Sequence, residues 1–242
     1  SYGDSMNILI DDININYEMI GYGEPIIFLH GWEANHNTFN SLINKISDNY
    51  QLYLLDLPGF GESKIDRALN VYEVADIINK FVIKLNLRNP IIIGHSYGGR
   101  IGIIYSSKYN VKGLILISSH GVKLKKSGLK KIKIYIYKKI KKLGINLNMG
   151  SSDYKNSSGI KRKMLVDTVN RDLTKEMETI NIPTLLIYGS NDNDTPIKGV
   201  GDYINNHIKN SVLITIDDSS HFVYLEKPLI VSLIINSFLE GI

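Results

Sequence analysis

Near the start of the chain, Asn7 to Ile10 and Ile13 to Ile20 alternate apolar and polar positions, the period of a half-buried strand. Asp11-Asp12 between them predicts a tight turn, hence an antiparallel hairpin. Beyond Gly21-Tyr22-Gly23 the alternation gives way to short continuous apolar runs: Ile26 to Leu29, Leu52 to Leu55, Ile91 to Ile93, Leu114 to Ile117, Leu185 to Tyr188 and Val212 to Ile216. Runs of this length suit strands buried on both faces of a parallel sheet. Helical spacing lies between them. From Val71 to Leu87 the residues Val74, Ile77, Ile78, Phe81, Val82 and Leu85 recur at intervals of three and four; a second helix follows Ser96 and a last one covers Leu229 to Leu239.

Strands alternating with helices predict an α/β fold, a doubly wound, mostly parallel sheet with helices on both faces. Ligands of such sheets bind beyond the carboxyl ends of the strands. No strand of the sheet is evident from His120 to about Asn181, far more chain than a crossover needs. The expected organisation is a core of residues 1–119 and 181–242 with an inserted helical lid, 120–180.

Charge sharpens this division. Residues 121–180 hold 16 Lys and Arg against 5 Asp and Glu, net +11, while the rest of the chain nets −7. From Ser127 to Leu143 the residues Leu129, Ile132, Ile136, Ile140 and Leu143 fall at helical spacing among lysines, although Lys131 to Tyr137 also fits a strand. A basic amphipathic helix suits an anionic membrane or an anionic substrate such as an acyl thioester; a solvated lid helix is the plainer reading, and no stable membrane association is expected. Absence of cysteine removes disulfides, thiolate metal sites and thiol nucleophiles, and fits a cytoplasmic protein. No apolar run spans a bilayer and no leader is evident; five residues precede Met6, which reads as the native start. Nucleic-acid binding lacks a stacking platform, and nucleotide chemistry lacks a phosphate loop.

Chemistry concentrates where Pro90 to Ile93 runs into Gly94-His95-Ser96-Tyr97-Gly98-Gly99 and on into helical spacing: strand, G-x-S-x-G, helix. A serine raised on so sharp a turn needs small residues two positions either side. The turn exposes its hydroxyl and sets the Tyr97 N–H at a helix N-terminus, ready for an oxyanion. A glycine-rich helix cap with an idle serine is the alternative. The second oxyanion donor must come from a neighbouring loop, and Phe28-Leu29-His30-Gly31-Trp32 assigns it to the Trp32 N–H. Trp32, the only tryptophan, is also a pocket candidate, with His30, His36 and His120, although His30 suits a structural hydrogen bond better than a base. A serine nucleophile needs a base, and the base a carboxylate. Both follow in the order serine, aspartate, histidine: the loop Ser190 to Pro196 after the strand Thr184 to Gly189, and His221 after the last strand. Asp192 and Asp194 are both candidates for the acid in that loop, and no histidine has metal-ligand spacing.

With these residues the chain resembles the α/β-hydrolase superfamily, and within it the small, lidded bacterial serine esterases. The resemblance rests on His30-Gly31-Trp32, Asp56 to Ser63, Gly94 to Gly99, Gly189 to Pro196, and His221 with Glu226 and Pro228. It implies Asp192 as the acid, with Asp194 in reserve. It also implies hydrolysis of a small carboxylic ester through acyl-Ser96, with no cofactor and no metal, and a small-molecule ester or related acyl compound as partner. Thioester or carbon–carbon cleavage by the same residues is the enzymatic alternative. Arg100 resembles the arginine four residues after the serine of a carbon–carbon lyase of this fold, or is a helix-surface ion pair. A slow-turnover ligand receptor is the alternative of another class. Oligomeric state is not legible.

Overall fold

The computed structural model describes residues 3–123 and 152–242. The amphipathic stretch from Ser127 to Leu143 lies outside them.

Strands β1 (Asp4–Ile10) and β2 (Ile13–Gly21) form the expected hairpin, with Ile10 opposite Ile13. Asp11 turns it at φ +53°, a left-handed conformation that aspartate adopts more readily than most residues, and its carboxylate pairs with Lys80. The sheet continues through β3 (Glu24–Leu29), β4 (Tyr50–Leu55), β5 (Ile91–His95), β6 (Gly113–Ile117), β7 (Thr184–Gly189) and β8 (Ser211–Ile216). Its order is β1-β2-β4-β3-β5-β6-β7-β8; β2 meets β4 antiparallel and every later pairing is parallel.

Side chains on these strands divide by parity. Ile27, Leu29, Ile92, Leu114, Leu116, Leu186 and Tyr188 face one buried cluster, while Ile26, Phe28, Ile91, Ile93, Ile115, Ile117, Leu185 and Ile187 face another. The first is closed by helices α2 (Val71–Lys84) and α3 (Tyr97–Lys108), the second by the short α1 (Asn40–Ile43) and α8 (Pro228–Glu240). Helix α2 starts where Asn70 Oδ1 accepts from the Tyr72 and Glu73 N–H groups and Glu73 Oε2 accepts from the Asn70 N–H, a capping box. It buries Val74, Ile78 and Phe81, the larger ones contributing about 2 kcal/mol each.

Between β6 and β7 run α4 (Ser152–Asn170) and α5 (Thr174–Thr179), and Met164, Leu173, Met177 and Ile180 enter the same cluster as α2 and α3. Helices α6 (Asp202–His207) and α7 (Val223–Glu226) flank β8. One expectation fails at β8: Val212 to Ile216 reads as buried on both faces, but β8 is an edge strand and Val212 is 58% exposed. A continuous apolar run does not tell a covered strand from an edge.

Candidate active site

The carboxyl ends of β3, β5, β6, β7 and β8 share one edge of the sheet, and the sequence-selected residues gather there. Between β5 and α3, Ser96 takes φ +52° and ψ −108°. Such a backbone stores about 1–3 kcal/mol and persists only under external constraint. The constraint is visible: the Ser96 N–H donates to Ile117 O at 3.0 Å, and Ser96 O accepts from the Gly99 N–H at 3.0 Å. A Cβ on Gly94 would stand 2.5 Å from Gly98 O, and one on Gly98 would overlap the Leu29 carbonyl. The glycine spacing is therefore a packing requirement of the turn.

Ser96 and two other residues meet. His221 Nε2 lies 3.0 Å from Ser96 Oγ, and His221 Nδ1 lies 2.9 Å from Asp192 Oδ2. A carboxylate only accepts, so Nδ1 carries the proton and Nε2 is left to accept from the serine. Asp192 is buried, and its oxygens accept from the N–H groups of Asp194 (2.9 Å) and Thr195 (2.9 Å), the Thr195 hydroxyl (2.6 Å) and His221. Burial pushes its pKa up, but the His221 and Thr195 hydrogen bonds outweigh burial and hold it below the ordinary aspartate value. Asp194 is exposed and contributes its backbone N–H, and it is Asp192 whose carboxylate meets His221.

Two supporting residues escaped the sequence. Thr195 Oγ1 touches Asp192 and stands 3.3 Å from His221 Nδ1. His95 is buried beside the serine; its Nε2 donates to the His221 carbonyl at 2.9 Å, and its Nδ1 accepts from the Tyr224 hydroxyl at 3.4 Å. Burial and nearby His221 push the His95 pKa down to about 3, so it holds His221 in place as a neutral ring. Glu226 fastens the same loop, accepting from the Ser220 N–H (2.6 Å) and hydroxyl (2.7 Å). The adjacency of His95 to Ser96 was the available signal for one; Thr195 offered none beyond its place in the acid loop.

Trp32 follows β3 and Tyr97 opens α3, so their N–H groups belong to neighbouring strand ends. As the first helical residue, Tyr97 has no intrahelical acceptor for its N–H. Among the described residues no protein acceptor meets the Trp32 N–H. The Trp32 ring packs edge-on to Phe60 and Tyr97, at 4.9 and 5.1 Å between centroids. Gly31 between the strand and Trp32 is forced by close approach: a Cβ there would lie 2.8 Å from His95 Nδ1.

The histidine candidates separate. His30 does not line an open pocket: it is fully buried, Nδ1 donating to Gly31 O (2.8 Å) and Nε2 accepting from the Leu57 N–H (2.9 Å), and burial pushes its pKa down to about 4. His36 is tied to the next loop instead, its Nδ1 2.7 Å from Asp56 Oδ1, a bond that raises its pKa. His120 stands beside Arg100 behind the end of β6. Arg100 is not the helix-surface ion pair considered above. It is 4% exposed; Nη1 donates to Arg171 O (3.2 Å) and Nη2 to His120 Nδ1 (3.2 Å), and among the described residues no carboxylate pairs with it. Burial lowers its pKa only to about 10, so it remains a cation.

Ligand atoms of Asp192, Asp194 and His221 lie within 4.8 Å of one another, the spacing a metal ion would need. The Asp192 oxygens are already committed to N–H and O–H donors, and His221 Nδ1 to Asp192, so the group does not suit an ion.

A family model described as the alpha/beta hydrolase fold matches residues 24–132, from β3 through the serine turn and past β6. Over that stretch the chain is similar to the α/β-hydrolase superfamily. Superfamily members similar over nearly the whole chain include the AB hydrolase superfamily protein YisY of Bacillus subtilis, 29% identical over 90% of this chain and 92% of that protein. The pimeloyl-(acyl-carrier protein) methyl ester esterase of Wigglesworthia glossinidia brevipalpis is 28% identical over 93% of this chain and 97% of that one. Among solved structures, the esterase EaEST of Exiguobacterium antarcticum superposes with a TM-score of 0.80 at 22% identity, covering 99% of both chains. No helix among the described residues is long and apolar enough to cross a membrane.

Proposed function

We propose that the chain is a serine esterase that cleaves a small carboxylic ester through an acyl-Ser96 intermediate. The observation that carries this reading is the His221 imidazole standing between Ser96 Oγ at 3.0 Å and Asp192 Oδ2 at 2.9 Å. Esterases among relatives similar over most of the chain add support.

In this reading His221 Nε2 takes the hydroxyl proton as Ser96 Oγ attacks the ester carbonyl carbon. The oxyanion is held by the N–H groups of Trp32 and Tyr97, and the imidazolium by Asp192. On collapse the alcohol leaves with the proton from His221. Water then repeats the sequence on the acyl-enzyme: His221 removes its proton, hydroxide adds, and the acid is released as Ser96 regains its hydrogen. The positive-φ backbone of Ser96 supports this reading, since it is the sharp strand-to-helix turn that the mechanism needs under a nucleophilic hydroxyl.

The test is intact-mass measurement after treatment with a fluorophosphonate, on the parent chain and on Ser96→Ala, followed by turnover of short-chain esters. One adduct on the parent and none on the variant is the expected result. A folded parent that takes up no adduct and turns over no ester would refute the reading.

A further inference from the structure

The end of β6 lies between the strand that leads to the serine and the strand that leads to Asp192. The chain leaving it touches both neighbours: Ser118 O stands 3.2 Å from Thr195 Oγ1, and Ser119 lies against Gly99 of α3. His120 comes next and is 8% exposed. Its Nδ1 edge is occupied by the N–H groups of Gly121 (3.0 Å) and Val122 (3.3 Å) and by Arg100 Nη2 (3.2 Å). All of these are donors, so Nδ1 accepts and the ring proton belongs to Nε2. Burial, Arg100 and His221 push the His120 pKa down to about 3, which leaves the neutral ring in this tautomer. The Nε2–H is buried and, among the described residues, has no hydrogen-bond partner. Burying an N–H without an acceptor is unfavourable, and the guanidinium on the opposite edge strengthens this one as a donor. Sites that bind a substrate oxygen hold such donors ready, because their unpaired state without the correct ligand is what rejects an analogue lacking that oxygen.

We propose that the His120 Nε2–H is a recognition donor for a second oxygen function of the substrate, a carbonyl, ether or carboxylate oxygen on an arm away from the scissile bond. This inference rests on the serine-esterase reading. His120 takes no part in proton transfer in it, since the ring keeps its proton on Nε2 throughout. The substrate class is thus an oxygenated ester such as an oxo-ester, alkoxy-ester or half-ester, in preference to a plain alkyl ester.

The experiment compares kcat/KM of the full chain on esters matched in length: a plain alkyl ester, one with a chain methylene replaced by an ether or keto oxygen, and one ending in a carboxylate. One set carries the oxygen on the acyl arm, a second set on the alcohol arm. The parent is expected to favour at least one oxygenated ester about tenfold, or about 1.4 kcal/mol. His120→Phe is expected to bring that ratio to within about threefold of unity, with His120→Leu replacing it should the phenylalanine variant not fold. His120→Gln, which retains an N–H, is expected to keep part of the preference. Whether the neutral or the anionic oxygen is favoured distinguishes the two acceptor classes. A parent ratio near one, or a ratio unchanged in His120→Phe, would overturn the proposal. Fluorophosphonate labelling runs alongside: an adduct and turnover with flat ratios remove only the role of His120, whereas no adduct and no turnover on a folded parent remove the esterase reading itself.

Discussion

Replacing Thr195 by valine removes one hydroxyl and nearly preserves shape, at a side chain 3% exposed. That hydroxyl has one proton to give. At 2.6 Å from Asp192 Oδ2 and 3.2 Å from Ser118 O, it gives it to the carboxylate, and its lone pairs face His221 Nδ1 at 3.3 Å. The variant would leave Oδ2 with His221 as its one remaining partner, inside a buried site. A hydrogen bond to a charged acceptor contributes about 1.5–3 kcal/mol, so folding stability should fall by about 2 kcal/mol. Asp192 should then be less well stabilised as an anion and His221 less firmly oriented, with kcat/KM on a short-chain chromogenic ester falling about tenfold. Thr195→Ser, which keeps the oxygen, should stay within about threefold. Urea denaturation and steady-state kinetics on the three proteins decide the matter. Equal stability and equal kcat/KM in Thr195→Val would refute the reasoning; lost stability with intact kinetics would confine Thr195 to holding its loop.

Gly98→Ala, whose Cβ would overlap the Leu29 and His30 carbonyls, is expected to lose at least about 2 kcal/mol by thermal or chemical unfolding. Gly159→Ala, in α4 with nothing within 4 Å of the added carbon, should gain about 0.5–1 kcal/mol; opposite signs from one chemical change test the packing account. Stability should also depend steeply on pH. His30, His95 and His120 have folded pKa values pushed from 6.5 down to about 4, 3 and 3, so below pH 6.5 the unfolded chain binds more protons than the folded one. They subtract nothing above pH 6.5 and up to about 1.4 kcal/mol per pH unit each as pH falls toward 4, together about 4 kcal/mol per unit. Denaturation midpoints at pH 7.5, 6 and 5 should fall in that order, and a flat series would contradict burial of these rings in neutral form.

Much of the sheet was legible because its strands are covered on both faces and therefore written as unbroken apolar runs. The weak point was β8, where the run Val212 to Ile216 has the same composition as a covered strand but only one strand neighbour. The Ser96 turn was legible for a steric reason, since Gly94 and Gly98 stand where a Cβ would strike backbone. His221 and the acid loop followed from their order after strands, and Asp192 over Asp194 from the family resemblance. Thr195 and His95 did not, because what makes them matter is contact with a residue 26 or 126 positions away, and threonine in a loop and histidine in a turn are common without such contacts. The roles of His30 and His36 were hidden similarly. Nothing local reveals that one ring bonds to Leu57 and the other to Asp56.

The bond from His95 to the His221 carbonyl also has a meaning in time. Synthesis delivers the strained serine turn well before the segment that follows β8, the last strand to be made. Until that segment docks, no imidazole stands beside Ser96 Oγ. Docking closes two links at once, one to Ser96 Oγ and one through the side chain beside it. In the proposed mechanism, reactivity is therefore acquired late, and a chain that stops short of residue 221 lacks the group that would take the serine proton.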